Sequence, residues 1–309
     1  MLALTHMRFR PALAIAILGL LLLAAPAMAA KPRPLYVSLG DSWAAGVQPL
    51  GAGQADVETK QGFSDFLKAR ARSLFPGLRL VNLGCGGETT VTMITGRAEC
   101  NEEVRPYGTT KRVKAQLPYA VPYLRAHRDR VAFVTVILGG DDVQECARRG
   151  DLGAILTCVN EGLQAIKQHL PVVVKALRKA AGPKAIIIAS TYADVVLGQY
   201  ISNPQQGQSL AQASVSVFRQ QLNPLLKKIY AKQRIGFVDT TSAFGTYIPF
   251  SQTTTLAPYG TIPVAVANIC KLTWYCAPRA RGPDIHLRPA GYRKLAGLVF
   301  RAVKAAHKL

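Results

Sequence analysis

Five short apolar runs recur along the chain, and turn-forming residues separate them. The runs are rich in Val and Ile and show little alternation between apolar and polar positions, which is typical of strands covered on both faces. They lie at residues 35–39, 78–83, 131–138, 185–189 and 235–238. We therefore predict five buried strands at these positions.

Helical patterns lie between the apolar runs, at residues 63–74, 155–166, 210–230 and from 289 onward. Pro171 should kink or restart the second helix, and Pro224 should interrupt the third. Pro289 is a residue type favoured in the first helical turn. Alternation of strands and helices predicts a parallel sheet between helix layers.

Two long stretches, 98–117 and 240–283, do not fit this alternation. We expect irregular loops there, since long loops often carry substrate-binding residues. Nothing from Lys31 to Leu309 resembles a linker, a repeat or a low-complexity tract. We therefore predict a single domain over residues 31–309.

The first thirty residues resemble a targeting segment. Arg8 and Arg10 precede a fifteen-residue uncharged run, and an A-x-A cleavage pattern, Ala27-Met28-Ala29, follows it. This order is typical of a secretory signal peptide. An uncleaved membrane anchor is the alternative, but the run is shorter than the roughly 20 residues that span a bilayer. We predict a signal peptide over residues 1–30 and a secreted or periplasmic protein.

All six cysteines lie in the exported part of the chain. An even number of cysteines in an oxidising compartment predicts three disulfides, although six cysteines allow 15 connectivities. The cysteines fall into three local pairs, and we predict the bonds Cys85–Cys100, Cys146–Cys158 and Cys270–Cys276. Their spacing matches no zinc-finger pattern, so we expect no metal site.

The exported chain is strongly basic. Without Arg8 and Arg10 it carries 36 basic and 17 acidic residues, a net charge of +19. The basic residues are dispersed and do not form a block with interleaved aromatic residues, so we expect no specific nucleic-acid partner. Each local cluster of basic residues is explained by a helix face that is exposed to solvent. The total charge favours a general attraction to an anionic membrane or envelope polymer.

Polar clusters follow three of the predicted strands, and a fourth precedes the last helix. They are GDS at 40–42, GCGGETT at 84–90, GGDD at 139–142 and DIHLRPAGY at 284–292. Open α/β sheets place their sites at the carboxyl ends of the strands. Each cluster taken alone also fits an ordinary turn, with Asp41 or Ser42 capping a helix and His286 packed in the protein interior.

Taken together, the four clusters resemble the SGNH (GDSL) hydrolase family, especially its secreted, disulfide-containing esterase and lipase branch. The matching segments are SLGDSWAAG, NLGCGGETTVTMI, LGGDD and IHLRPAGYRKLA, and NICKLTWYC resembles that branch's loop before the histidine. The resemblance runs from Leu35 to the C-terminus. It implies a flavodoxin-like, three-layer α/β/α sandwich around a central parallel sheet.

The resemblance also implies hydrolysis of a carboxylic ester through an acyl-enzyme, with no cofactor. Ser42 would attack the carbonyl, and His286 would take the proton from Ser42. The oxyanion donors would be the backbone N–H groups of Ser42 and Gly87 and a side chain in the third block. The substrate would be a small-molecule, lipid or acetylated-glycan ester, and the enzyme would be a monomer.

Two positions depart from the family pattern. Asp141 stands where the family has an asparagine, and an ionised carboxylate can only accept hydrogen bonds. Losing one oxyanion donor costs other hydrolases ~3 kcal/mol. The family often has an orienting aspartate three residues before the histidine, but Pro283 occupies that position. Either Asp284 or a backbone carbonyl near Pro283 would then orient His286.

Three functions remain open on the sequence alone. The leading one is a secreted serine esterase or lipase, weakened by Asp141. The alternative is a catalytically impaired SGNH-fold protein that binds acyl or glycan ligands at an anionic surface. An adhesive basic protein is the third, but only the net charge supports it. The joint presence of Ser42, Gly87 and His286 favours the enzyme.

Overall fold

The central sheet contains the five strands predicted from the apolar runs. The structure, a computed structural model, describes residues 32–49, 56–96, 115–149, 151–203, 205–277 and 283–308. Its strands are β1 (Leu35–Gly40), β2 (Val47–Pro49), β3 (Asp56–Glu58), β4 (Arg79–Asn82), β5 (Val131–Ile137), β6 (Ile186–Ser190), β7 (Gly236–Val238), β8 (Thr253–Leu256) and β9 (Gly260–Pro263).

Parallel pairing orders the central sheet β4-β1-β5-β6-β7. Numbered along the chain, these five strands follow the order 2-1-3-4-5, which is the flavodoxin-like order. In the register, Leu35 lies beside Arg79, and Gly40 lies beside Ile137. All six residues of β1 are buried, as expected for a strand with helices on both faces. The predicted fold class is confirmed.

Helices pack on both faces of the sheet. The α-helices are α1 (Ser42–Ala45), α2 (Phe63–Ala71), α3 (Thr92–Thr95), α4 (Gln116–Ala126), α5 (Leu152–Ala181), α6 (Gln199–Ser202), α7 (Gly207–Val217), α8 (Asn223–Lys232), α9 (Thr240–Ala243), α10 (Val264–Leu272) and α11 (Pro289–His307). Two 3₁₀ turns, Gln144–Arg148 and Val195–Gly198, and a π-helical turn, Phe218–Leu222, complete the described helical segments.

Pro171, Pro224 and Pro289 all lie in helices of the structure. Of the two effects predicted for Pro171, the restart is wrong, because α5 continues to Ala181 with Leu170 and Val173 fully buried in the core, and the kink stays a prediction. The interruption expected near Pro224 occurs one turn earlier, as the π-helical turn, and Pro224 lies in the first turn of α8. Pro289 begins α11, as predicted.

The expectation of irregular loops was wrong for residues 240–283. This stretch contains α9, the antiparallel hairpin β8–β9 and α10. Ile262, Val266 and Cys270 form a small buried cluster there, which explains why short elements are stable outside the central sheet. Of the other stretch, residues 98–114 lie outside the described residues, and Gln116 begins α4.

Two of the three predicted disulfides are present, Cys146–Cys158 and Cys270–Cys276. Cys85 is also disulfide-bonded, but its predicted partner Cys100 lies outside the described residues, as does the predicted signal peptide at 1–30. The described residues from Arg33 onward form one compact unit. No helix among them is long and apolar enough to cross a membrane.

Candidate active site

A glycine at the end of β1 brings Ser42 to the edge of the sheet. Gly40 has a φ of 130°, and a Cβ at this position would lie 1.8 Å from the carbonyl oxygen of Ile137 on the neighbouring strand. Only glycine allows this approach. The chain then turns into α1, of which Ser42 is the first residue, and the Ser42 residue is 5% exposed.

Asp41 of the GDS segment is the cap of this short helix. Its carboxylate accepts a hydrogen bond from the Trp43 N–H at 2.9 Å and another from the Tyr192 hydroxyl. Complete burial raises the pKa of Asp41 to about 7, although both hydrogen bonds oppose the rise. The capping function considered for Asp41 is therefore present, and the side chain is directed into the protein.

The second polar cluster packs directly against this turn. The Cys85 N–H donates to the Gly40 carbonyl at 2.9 Å. A Cβ on Gly84 would lie 2.3 Å from the backbone nitrogen of Ala45, so the two segments are in close backbone contact. Gly87 follows with a φ of 68°, a left-handed conformation that favours glycine. This turn therefore lies at the same end of the sheet as Ser42.

Gln116 and Glu88 form a buried support beneath β1, and no sequence pattern indicated it. The Gln116 amide donates to the Gly40 carbonyl at 2.7 Å and to the Glu88 carboxylate at 2.6 Å. Its oxygen accepts from the Gly40 N–H at 3.0 Å. Glu88 also accepts from the Thr92 hydroxyl. One side chain thus fixes the glycine that precedes the Asp41-Ser42 turn.

The third cluster contacts the second through Asp142. The Asp142 carboxylate accepts from the Thr90 N–H at 2.9 Å and from the Thr90 hydroxyl at 2.7 Å. Its neighbour Asp141 is half-buried and lies near Tyr192, whose pKa rises mainly through burial and further through the charges of Asp41 and Asp141. Asp141 therefore lies at the same end of the sheet, close to the side chain that contacts Asp41.

In the last polar cluster, the carboxylate of Asp284 contacts His286. Oδ1 of Asp284 accepts from the His286 N–H at 2.9 Å and lies 3.1 Å from Nδ1 of the ring. Burial alone would raise the pKa of Asp284, but the hydrogen bonds and charge of His286 lower it to about 2. Asp284, one of the two orienting groups considered, contacts the ring through its carboxylate.

A second carboxylate, Asp56, also faces this ring. Oδ2 of Asp56 lies 3.5 Å from Nδ1 of His286. Asp56 is on the short strand β3, and no motif distinguished it in the sequence. Among the described residues, Asp56, Asp284 and His286 are also the one group of carboxylates, histidines or cysteines close enough to hold a metal ion, with donor atoms within 4.8 Å of one another.

Long-range hydrogen bonds tie the histidine segment to the chain that follows Ser42. The Gln48 amide donates to the Leu287 carbonyl at 3.0 Å and accepts from the Trp274 indole N–H at 3.0 Å. The Tyr292 hydroxyl donates to the Val47 carbonyl at 2.9 Å. Residues from all four polar clusters therefore gather at the carboxyl ends of the strands.

The remaining described histidines lie elsewhere. Nδ1 of His127 contacts the Tyr123 carbonyl, and Nδ1 of His169 contacts the Ala165 carbonyl, in each case four residues back along the chain. The His307 ring packs against Phe75 at the far end of α11.

The sequence matches the family model of the GDSL-like lipases and acylhydrolases over residues 38–294, which include all four polar clusters. The protein belongs to this family. This GDSL-like hydrolase is therefore a carboxylic ester hydrolase, and the resemblance noted from its motifs is confirmed. The sequence matches none of the curated proteins with which it was compared.

Solved structures of similar fold include three esterases or lipases. An extracellular lipase from Streptomyces rimosus is 19% identical, with a TM-score of 0.49 over 85% of this chain and 98% of the lipase. An acetylxylan esterase from Geobacillus stearothermophilus is 18% identical, with a TM-score of 0.45 over 87% and 94%. An aryl esterase from M. smegmatis is 14% identical, with a TM-score of 0.43 over 88% and 99%.

Proposed function

We propose that this GDSL-like hydrolase cleaves its ester through an acyl-enzyme on Ser42, with His286 as the base. The contact between Asp284 and Nδ1 of His286 is the observation that carries the proposal. A carboxylate on Nδ1 keeps a proton on that nitrogen, so that Nε2 is the atom that accepts the proton of Ser42.

The reaction has two steps. The Ser42 oxygen bonds to the carbonyl carbon while its proton passes to His286, and His286 then returns that proton to the departing alcohol. In the second step a water molecule attacks the acyl-enzyme, again with His286 as the base, and releases the acid. Asp284 is a positioning residue in both steps and stabilises the charged ring.

The oxyanion of each step would be stabilised by backbone N–H groups. Ser42 is the first residue of α1, where backbone N–H groups have no partner within the helix. Gly87 supplies a second N–H from its left-handed turn. Asp141 would be a third donor only when its carboxyl is protonated, since the ionised form repels the developing charge. We therefore propose a slow esterase.

The substrate would be an ester of a small molecule, a lipid or an acetylated glycan. The predicted signal peptide and the disulfides support export to the periplasm or the outside of the cell. Asp141 is also the one observation that favours the alternative, a catalytically impaired protein that keeps the cleft to bind acyl or glycan ligands.

A fluorophosphonate probe distinguishes the active esterase from the catalytically impaired protein. We expect the mature protein to react with the probe and to hydrolyse p-nitrophenyl acetate, and Ser42→Ala to lose both properties. Ser73→Ala, which removes an exposed hydroxyl elsewhere on the chain, is the matched control and should behave as the wild type. Labelling at Ser42 without turnover would support the impaired protein. Turnover that persists in Ser42→Ala would show that Ser42 is not the nucleophile.

A further inference from the structure

The loops at the two ends of the central sheet differ in their charged residues. The loops that follow the five strands contain six acidic and no basic residues: Asp41, Glu88, Asp141, Asp142, Asp194 and Asp239. The described loops that precede the strands contain six basic residues and one acidic residue: Arg33, Arg72, Arg128, Arg130, Lys184 and Arg234, with Asp129. The residues that directly follow the strands are therefore acidic, although Asp41, Glu88 and Asp194 are buried, and the residues that directly precede the strands are basic.

An open groove lies in this basic end, where the ends of α5 and α8 meet. It encloses about 370 Å³. Five cationic side chains line it, with Gly182, Pro183 and Gln233 between them: Arg128, Arg178, Lys179, Lys232 and Arg234. No carboxylate is among the described residues of this lining. We call this feature the basal groove.

Arg178 holds the walls of the basal groove together. Its guanidinium donates to the carbonyls of Gly182 at 3.1 Å and Ala185 at 2.7 Å on one side. On the other side it donates to the carbonyls of Gln233 at 3.0 Å and Arg234 at 2.8 Å. Burial and the nearby charge of Arg234 lower the pKa of Arg178. The cations here therefore lie close enough to repel one another.

The ends of helices attract cations, and this effect accounts for part of the cluster. Arg128 donates to the carbonyls of Ala180 at 3.0 Å and Lys179 at 2.9 Å, so Arg128, like Arg178, satisfies helix-end carbonyls. The helix-end carbonyls therefore already have two guanidinium partners. The side chains of Lys179, Lys232 and Arg234 are exposed around the same groove. The attraction of cations to helix ends therefore does not explain why three further exposed cations surround the groove.

We propose that the basal groove binds phosphate groups of an anionic phospholipid surface and holds the enzyme there with its active-site cleft directed away. Groups of cations that donate hydrogen bonds bind phosphate strongly. The other basic residues before the strands extend the positive charge across the whole basal end, which suits a planar array of headgroups. Each lysine or arginine near such a surface strengthens binding roughly fivefold.

The orientation follows from the charge separation. The loops that directly follow the strands contain no basic residue, so an anionic surface attracts the basal groove more strongly than these loops. The esters hydrolysed would then come from the solution or from an opposing surface, and not from the lipids to which the protein is bound.

Vesicle binding of the mature protein tests the proposal. We expect binding to phosphatidylglycerol vesicles but not to phosphatidylcholine vesicles, and binding should weaken as salt shortens the Debye length below ~10 Å. Lys179→Gln/Lys232→Gln leaves the guanidinium contacts intact and should weaken binding about tenfold or more. Lys60→Gln/Lys271→Gln, the control, removes the same charge from exposed positions outside the basal groove and should retain nearly full binding.

Equal losses in the two variants would overturn the proposal, because they would show that the net charge acts without a specific groove. Binding of inorganic tripolyphosphate tests whether the phosphate ligand of the groove is a soluble phosphate or part of a lipid surface. If the groove variant loses tripolyphosphate but binds phosphatidylglycerol vesicles as the wild type does, the ligand is a soluble phosphate and the lipid surface is excluded. Vesicle-bound enzyme should still hydrolyse a soluble ester; loss of that hydrolysis on binding would contradict the orientation.

Discussion

A single oxygen of Asp284 contacts His286 twice, at 2.9 Å from the backbone nitrogen and at 3.1 Å from Nδ1 of the ring. The two residues are separated only by Ile285, so the contact is local and fixes the ring relative to its own backbone. Asp56 approaches the same nitrogen at 3.5 Å from a strand more than two hundred residues earlier in the chain. Nδ1 of the ring therefore faces a close local carboxylate and a more distant one.

We predict that Asp284→Asn lowers kcat of ester hydrolysis by about 10²-fold or more, since triad enzymes that lose this carboxylate lose up to ~10⁴. Asp56→Asn should lower kcat less than about tenfold, because its contact is longer and its side chain is 33% exposed. Steady-state kinetics on one p-nitrophenyl ester measure both. A larger effect at Asp56 than at Asp284 would mean that Asp56 is the carboxylate that positions the ring.

Asp141→Asn should raise kcat, with the largest gain at alkaline pH. A carboxyl group donates a hydrogen bond to the oxyanion only when it is protonated, whereas an amide donates at every pH. The gain from the amide should therefore appear wherever the carboxyl group of Asp141 is ionised. The measurement is kcat against pH for both proteins. An unchanged or lower kcat would show that Asp141 has another function.

The stability of the protein should fall as pH rises through the range in which Asp194 ionises. Asp194 is fully buried, and burial raises its pKa to about 7 although the Ser214 hydroxyl contacts it at 2.9 Å. Between about pH 4 and pH 7 the unfolded chain releases this proton and the folded chain keeps it, so folding is less favourable at higher pH.

Asp194→Asn removes this titration and keeps the shape of the side chain. The melting temperature of the variant relative to wild type should therefore rise from pH 4 to pH 7 and then stay constant. Asp41 titrates in a similar range in both proteins and cancels in the difference. A difference in melting temperature that does not change with pH would refute the raised pKa of Asp194.

Gly40→Ala should destabilise the fold by about 3 kcal/mol or more, because the new Cβ would lie 1.8 Å from the Ile137 carbonyl oxygen at a φ that alanine disfavours. Gly297→Ala is the matched control. Gly297 lies within α11, and nothing is within 4 Å of an added Cβ, so this change should stabilise by about 0.5–1 kcal/mol. Urea unfolding measures both changes. If Gly40→Ala and Gly297→Ala had similar free energies of unfolding, β1 and β5 would be able to separate at Gly40.

Much of the fold was predictable because its signals are local. Each buried strand is a continuous apolar run, and each polar cluster comes directly before or after a strand or helix, so Ser42, Gly87, Asp141 and His286 could be chosen before their positions in space were known. The two disulfides seen within the described residues join cysteines 12 and 6 positions apart, which is again a local pattern.

Other features could not be read from the chain. Gln116 contacts Gly40 across 76 positions, and Asp56 contacts His286 across 230, and neither residue lies in a recognisable motif. The sequence also left open whether α5 would kink or restart at Pro171, and it continues there with Leu170 and Val173 buried on either side.

The sequence by itself determined the class of the sheet, the family and the residues proposed for the reaction, because hydrophobic period and motif spacing are properties of short segments. Only the tertiary structure decided which carboxylate contacts His286, which side chain supports Gly40, and that the basic residues gather at the end of the sheet opposite the active site. These relationships depend on which strand ends meet. Parallel pairing brings together residues far apart in the chain, and no local sequence pattern indicates which residues will be in contact.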